Sequence, residues 1–120
     1  MLDDIDAWEI ENNRVTVFLA LITDRLSADA NNRTTFPNPD VIDFNNRIRS
    51  MASTRVNEEG DDIVIVNQHD ALIYSNESSP DDDLSQDRIH PNSVGYEKMA
   101  DTWLKSIINT KQELRCPSNP

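Results

Sequence analysis

The run VTVFLALI, from Val15 to Ile22, decides the fold class of this chain. All of its residues except Thr16 are apolar, and several are β-branched. An uninterrupted apolar run of this length is typical of a parallel strand covered on both faces, since a half-exposed strand alternates polar and apolar residues. It is far too short for a bilayer-spanning helix, which needs about 20 apolar residues. We therefore expect a buried parallel strand over residues 14–22.

The segments around this strand complete a βαβα pattern. Residues 62–67 read DIVIVN and predict a second buried strand. Between the strands, the polar, Asn- and Pro-containing residues 23–39 predict a loop, and residues 40–56 predict a helix. The residues expected on the inward face of that helix are Val41, Phe44, Ile48, Met51, Ala52 and Val56. A short helix is also predicted at residues 2–12.

A final helix is predicted after Pro91, with Asn92 or Ser93 as its N-cap. Its apolar residues recur at helical spacing at Tyr96, Met99, Ala100, Trp103, Leu104 and Ile107. We expect Trp103 to be largely buried against the strand at residues 15–22. Strands joined by helices in this order run parallel, and ligands bind beyond their carboxyl ends. Thr23 and Asp24 leave the first strand at that edge, and Asn67, Gln68 and His69 leave the second. Of these, Thr23, Asn67 and His69 are expected to line a site.

Asp87 and His90 lie just before the final helix and can fold back onto the same edge of the sheet. They are three residues apart, so a tight turn can bring the carboxylate and the imidazole into contact. A carboxylate on one ring nitrogen fixes the tautomer and leaves the other nitrogen free to act as a base. This pair is the first candidate for a catalytic dyad.

Two other groups of polar residues are weaker candidates. His69 is followed by Asp70, but adjacent side chains rarely face each other, so a histidine without a role is expected there. The triplet at residues 81–83 consists of three Asp residues and lacks the alternating spacing of a calcium loop. We expect it to be a solvated acidic turn, and no metal site is predicted.

A longer string around the dyad carries a family resemblance. From Asp87 to Ala100 the sequence follows the pattern D-x-x-H-P-N-x-x-G-Y-x-x-M-A. This pattern resembles the last conserved block of the SGNH (GDSL-type) hydrolases, a family of serine esterases and lipases. Residues 15–20 resemble the fourth strand of that family, residues 44–49 the helix that follows it, and residues 63–67 the fifth strand.

The resemblance implies a partial flavodoxin-like, three-layer α/β fold and carboxylic-ester hydrolysis. In the family, the Asp and His of this block belong to a Ser-His-Asp triad, so Asp87 would orient the imidazole and His90 would be the general base. The family's Gly-Asp-Ser, Gly and Gly-x-Asn-Asp blocks, which supply the nucleophile and the oxyanion hole, do not occur in this sequence. The serines that could approach His90 lie in the preceding loop: Ser75, Ser78, Ser79 and Ser85, with Ser79 and Ser85 the leading candidates. Water activated directly by His90, or a group from a second chain, is the alternative.

Composition bounds the remaining questions. The 120 residues allow one domain, expected as a truncated SGNH-like unit at residues 1–115 with a tail at residues 116–120. The 22 acidic residues outnumber the 11 basic ones and give a net charge of −11, so nucleic acid is not an expected partner. The acidic amino terminus does not predict a signal peptide. No membrane partner and no cofactor is expected, and the single cysteine excludes an internal disulfide.

Two functions remain open from the sequence. The first is a small carboxylic-ester hydrolase that acts on short acyl esters. The second is a non-catalytic remnant or assembly module that keeps only the SGNH fold. In either case a homo-oligomer is expected, because only the last two of the family's five parallel strands are predicted here. The strand at residues 15–22 would have an unpaired edge, which invites pairing with a second copy of the chain.

Overall fold

The computed structural model describes residues 1–9, 14–25, 27–28, 34–75 and 81–115. The helices are α1 (Leu2–Glu9), α2 (Pro39–Thr54), a π-helical continuation of α2 (Arg55–Glu59), and α3 (Ser93–Arg115). The strands are β1 (Thr16–Ala20), β2 (Ser27–Ala28), β3 (Thr34–Thr35) and β4 (Asp62–Val66). The chain is therefore α/β, as the sequence predicts. Within the described residues, no helix combines the length and apolar character needed to cross a membrane.

Strands β1 and β4 pair in parallel, in a register that runs from Thr16 opposite Asp62 to Ala20 opposite Val66. The hydroxyl of Thr16 donates a hydrogen bond to the Asp62 carboxylate at 2.6 Å. The pairing continues past β1, where the Leu21 N–H donates to the Val66 carbonyl at 3.0 Å. The predicted parallel pair, with α2 in the connection between the strands, is confirmed.

The two strands are less covered than their sequences predict. Every residue of β1 is only partly buried, and Val66 is the only fully buried residue of β4. The prediction that both strands are covered on both faces is therefore wrong for the single chain. The physical reason is the width of the sheet, because β1 and β4 have only each other as neighbours in the described part of the chain.

Helix α2 begins at a built cap. The Asn38 side chain accepts a hydrogen bond from the Asp40 N–H at 3.1 Å, and Pro39 occupies the first helical position, where its missing N–H costs nothing. About two turns further along, Asn45 is buried, and its amide exchanges two hydrogen bonds with the backbone of Ile22, at 2.9 and 3.0 Å. These bonds fix which face of α2 turns towards the end of β1.

That polar contact corrects the predicted inward face of α2. Val41 and Ala52 are buried as expected, but Phe44 and Val56 are exposed, and Ile48 and Met51 are only partly buried. Because Asn45 occupies the inward position, its neighbour Phe44 lies on the outer side of the helix. A second correction concerns the predicted loop at residues 23–39, which contains the short antiparallel pair of β2 and β3.

Ion pairs help to hold α1 in place, and none of its residues is fully buried. Arg55, at the end of α2, donates hydrogen bonds to Asp3 at 2.8 Å and to Asp6 at 2.5 Å in α1. The same guanidinium donates to Asp61, just before β4, at 2.5 Å. Arg55 therefore ties α1 to the start of the sheet. Of the helix predicted at residues 2–12, residues 10–12 lie outside the described residues.

Helix α3 contacts β4, and Asn92 caps its start, because the Asn92 side chain accepts the Gly95 N–H at 2.9 Å. Trp103 is partly buried, and the strand that α3 chiefly contacts is β4 rather than the predicted β1. The predicted apolar face is only half covered: Met99 and Ile107 are also partly buried, whereas Tyr96, Ala100 and Leu104 are exposed. A two-stranded sheet is too narrow to cover the whole apolar face of a helix of this length.

Gly95 is expected to be the least replaceable residue of α3. A Cβ atom there would lie 2.4 Å from the Asp83 carbonyl oxygen and 2.9 Å from Pro91 Cβ, both closer than van der Waals contact allows. Gly95→Ala should lower the free energy of unfolding by about 2 kcal/mol, as overpacking does. Glu97→Ala, on the exposed side of the same turn, should change it by less than about 0.5 kcal/mol. Urea unfolding followed by circular dichroism measures both, and equal stabilities would contradict this close approach.

Candidate active site

A closed turn carries Asp87 and His90. Leu84 and Pro91 form an antiparallel bridge at its base. Inside the bridge, the Ser85 N–H donates to the His90 carbonyl at 2.7 Å, and the Arg88 N–H donates to the Ser85 carbonyl at 3.0 Å. The turn is therefore pinned by its own backbone, immediately before α3 begins.

The carboxylate of Asp87 receives three hydrogen bonds within this turn. One oxygen accepts the N–H groups of Ile89 and His90, both at 3.0 Å, and the other lies 2.6 Å from Nδ1 of His90. The predicted contact between Asp87 and His90 is confirmed. The hydrogen bond from the His90 ring, followed by those from the two backbone N–H groups, lowers the pKa of Asp87 to about 2.

This geometry specifies the chemistry of the imidazole. An ionised carboxylate can only accept, so Nδ1 of His90 is the donor, and the lone pair of the neutral ring lies on Nε2. No residue in the described part of the chain hydrogen-bonds Nε2, and the His90 side chain is 68% exposed. The Asp87 side chain is 48% exposed. The imidazole is therefore oriented on one side and accessible as a base on the other.

The candidate nucleophiles are not brought to His90 by the described contacts. The Ser85 hydroxyl donates to the Pro91 carbonyl at 3.1 Å, on the opposite strand of the turn. Ser75 is partly buried, after the loop that follows β4. Ser78 and Ser79 lie outside the described residues. The structure thus defines the base and its orienting carboxylate, and it leaves Ser85 bonded to backbone.

The second histidine does face carboxylates, contrary to expectation. Nδ1 of His69 lies 2.9 Å from the carboxylate of the adjacent Asp70, and Nε2 lies 3.9 Å from the buried carboxylate of Asp24. The hydrogen bond from His69, and then one from the Asn67 amide at 2.7 Å, lowers the pKa of Asp70. Asp24 follows β1 and His69 follows β4, so the structure brings these two side chains together at the carboxyl ends of the strands. Thr23, also expected there, is partly buried beside Asp24.

A line of stacked side chains joins this edge to the dyad turn. The Tyr74 hydroxyl accepts the Asp24 N–H and donates to the His69 carbonyl, both at 3.0 Å. Burial raises the pKa of Tyr74 to about 12, so the hydroxyl stays protonated and keeps its donor role. The Phe36 ring lies 5.4 Å from the Tyr74 ring, and the guanidinium of Arg88 lies 5.5 Å over Phe36. Arg88 belongs to the dyad turn, which therefore reaches the carboxyl edge of the sheet.

The acidic triplet is not a solvated turn, and that prediction is wrong for two of its members. Asp82 and Asp83 are only 6% and 2% exposed. Asp82 pairs with Arg88, and Asp83 accepts the Lys98 ammonium at 2.6 Å. Sequence reasoning missed these residues because each basic partner lies several residues away, outside any local motif. Both carboxylates are already neutralised and are not free for a cation.

One cluster of three carboxylates converges in the described residues, away from the dyad: Asp6, Glu59 and Asp61. Arg55 bonds to all three, at 2.5 to 3.1 Å. A cation bound there would compete with a guanidinium already in place. The cluster is explained by the attachment of α1.

Asp87 should remain ionised to unusually low pH. Its folded pKa, about 2, lies below the ordinary value of about 3.9. Its ionisation therefore stabilises the fold above about pH 4, and this contribution is lost as the pH falls through about 2. Carboxyl ¹³C shifts measured against pH should show this titration, and His90→Ala should raise it towards 3.9. His69→Ala is the matched control and should leave it unchanged; an ordinary titration in the unmodified protein would contradict the dyad geometry.

Comparisons with known proteins do not assign the chain to a family. No family model matches it, and no curated protein or solved structure does. The resemblance to the SGNH hydrolases therefore rests on the residues of the chain itself.

Proposed function

We propose that this chain is a carboxylic-ester hydrolase of the SGNH type, with His90 as general base and Asp87 as the residue that orients it. The observation that carries the proposal is the 2.6 Å contact between Nδ1 of His90 and a carboxylate whose other oxygen is held by two backbone N–H groups. The order β1, α2, β4, α3 supports a partial flavodoxin-like, three-layer fold. The open surroundings of the dyad favour short acyl esters, because an enclosed acyl pocket would bury the imidazole.

The proposed reaction uses water as the nucleophile. Nε2 of His90 takes a proton from water as the water oxygen attacks the acyl carbon, and the imidazolium returns that proton to the leaving alcohol. Asp87 stabilises the imidazolium in between. Water is favoured over Ser85 because the Ser85 hydroxyl is bonded to the Pro91 carbonyl. Ser79 remains the serine alternative, and replacing it with Ala tests that route directly.

A second candidate function, an assembly module, is favoured by the open edge of β1. Alternate residues of a parallel strand bond to the same neighbour. Leu21 bonds to Val66, so Leu21 faces β4, and Leu19, two residues before it, does the same. Phe18 and Ala20 alternate with these residues, so their N–H and C=O groups point to the opposite edge. No strand of the described residues lies there. We propose that a second copy of the chain pairs with this edge, along residues 15–22, to form a homo-oligomer.

Esterase activity should depend on His90 and on Asp87. Purified protein is assayed with p-nitrophenyl acetate and butyrate, and His90→Ala should lower the rate by about 10²-fold or more, the range of general-base catalysis. Asp87→Asn should also lower it strongly, by favouring the wrong tautomer. Arg47→Ala is the control, because Arg47 is an exposed arginine of α2 that pairs with Asp43 and belongs to no part of the candidate site. Activity that is absent, or that survives in His90→Ala, would reject the hydrolase proposal and favour the assembly module.

The unmodified chain should sediment as a dimer or larger oligomer at low micromolar concentration. Ala20→Pro removes one outward N–H, a change that an edge strand tolerates, and should shift the protein towards monomer without loss of helical circular dichroism. Glu97→Ala, far from this edge in sequence and exposed on α3, should leave the oligomer intact. A stable, folded monomer of the unmodified chain would rule out the pairing of β1 edges.

A further inference from the structure

We propose that Arg88 is a positioning residue of the Asp87–His90 dyad, and that it acts by anchoring the turn rather than by touching substrate. The expected effect of Arg88 on kcat rests on the proposed function. Its expected effect on the tautomer of His90 can be measured in a protein without any activity. Arg88 lies between the two dyad residues in sequence, and its contacts differ from theirs in burial, conformation and partners.

The backbone of Arg88 adopts an unfavourable conformation. Its φ angle is 61°, and it is the only non-glycine residue with positive φ in the described part of the chain. Residues with a Cβ atom rarely adopt this left-handed backbone conformation. The conformation persists only where surrounding contacts stabilise it. The reversal at Arg88 occurs in the turn where the N–H groups of Ile89 and His90 reach the Asp87 carboxylate. The geometry of the dyad therefore depends on a conformation that the local sequence does not favour.

The side chain of Arg88 supplies the holding contacts. It is only 12% exposed, it pairs with the buried carboxylate of Asp82, and its guanidinium lies over the Phe36 ring. Asp82 is in turn fixed by the Leu84 N–H, which donates to its other oxygen at 3.0 Å. The dyad side chains, by contrast, are half to two-thirds exposed and bond to each other within the turn. Arg88 is thus the anchored residue of the turn, and the positions of Asp87 and His90 depend on it.

A direct role in binding substrate does not fit these contacts. The guanidinium charge is neutralised by Asp82, and Nη2 is buried, with no hydrogen-bond partner in the described residues. An anionic or carbonyl oxygen could not reach it without displacing the contacts to Phe36 and Asp82. Arg88 is therefore placed to act through the turn, on the position of His90.

Arg88→Gly removes the side-chain contacts that anchor the turn but allows its backbone conformation. Glycine adopts positive φ without strain, so the turn can still form, but the contacts to Asp82 and Phe36 are lost. Asp82→Asn and Phe36→Leu each remove one half of the anchor and leave Arg88 in place. Arg47→Ala is the control, because Arg47 is an exposed arginine paired with Asp43 on the surface of α2.

The first readout is the tautomer of His90, from ¹⁵N shifts of the ring at about pH 8.5, above the roughly 6.5 where histidine ordinarily titrates. The unmodified protein and Arg47→Ala should carry the proton on Nδ1. Arg88→Gly should shift the ring towards the mixture of tautomers seen for free imidazole. If Arg88→Gly does not fold, Asp82→Asn and Phe36→Leu should show the same shift in part. An unchanged Nδ1–H signature in every folded anchor variant would overturn the inference.

The second readout is kinetic. Arg88→Gly should lower kcat for p-nitrophenyl butyrate by roughly ten- to a hundredfold, as misplacement of a catalytic group does, with KM changed less than about twofold. A tautomer shift in a protein without esterase activity would uphold the positioning role and reject the hydrolase proposal. Activity that needs His90 but is indifferent to Arg88→Gly, with the tautomer also unchanged, would uphold the hydrolase proposal and reject the role of Arg88.

Discussion

The position of the candidate site depends on the contacts of one buried residue, Asp83. Its side chain accepts the Ile73 N–H at 2.7 Å and the Lys98 ammonium at 2.6 Å. Its carbonyl oxygen accepts the Asn92 N–H at 2.8 Å and lies against Gly95. One residue thus joins the loop after β4 to the first turns of α3. The dyad turn lies between these two anchored points, so its position follows from theirs.

Basic side chains form ion pairs with several of the buried or clustered carboxylates. Arg88 pairs with Asp82, Lys98 pairs with Asp83, and Arg55 joins the carboxylates around α1. Unpaired buried charge would be costly, so these cations are required for the fold. The chain as a whole still carries a net charge of −11, because acidic residues outnumber basic ones by 22 to 11. Such a field repels anions, and an uncharged ester is therefore a better match to the proposed reaction than a charged one.

The sequence predicts those features that depend on local spacing. The order of strands and helices follows from hydrophobic periodicity, and the contact of Asp87 with His90 follows from a three-residue separation before a proline. Burial is less predictable, because it depends on which distant groups meet. The spacing predicts Phe44 on the inward face of α2. Asn45 occupies that face instead, because its side chain hydrogen-bonds Ile22, 23 residues earlier. The predicted solvated turn is wrong for Asp82 and Asp83 for the same reason, since acidic residues in a row resemble a solvated turn until their basic partners are known.

The separation of β1 from β4 also sets an order of folding. Their paired residues are 46 positions apart, as Thr16 and Asp62 show. Closing a loop of this length costs roughly 3 kcal/mol of chain entropy beyond a constant, and contacts within a helix have no such cost. We therefore expect the helices α2 and α3 to form before the sheet, with α2 shortening the loop that remains to be closed. Until β4 pairs with it, the apolar run of β1 has no partner strand, so we expect the yield of refolding to fall as the protein concentration rises.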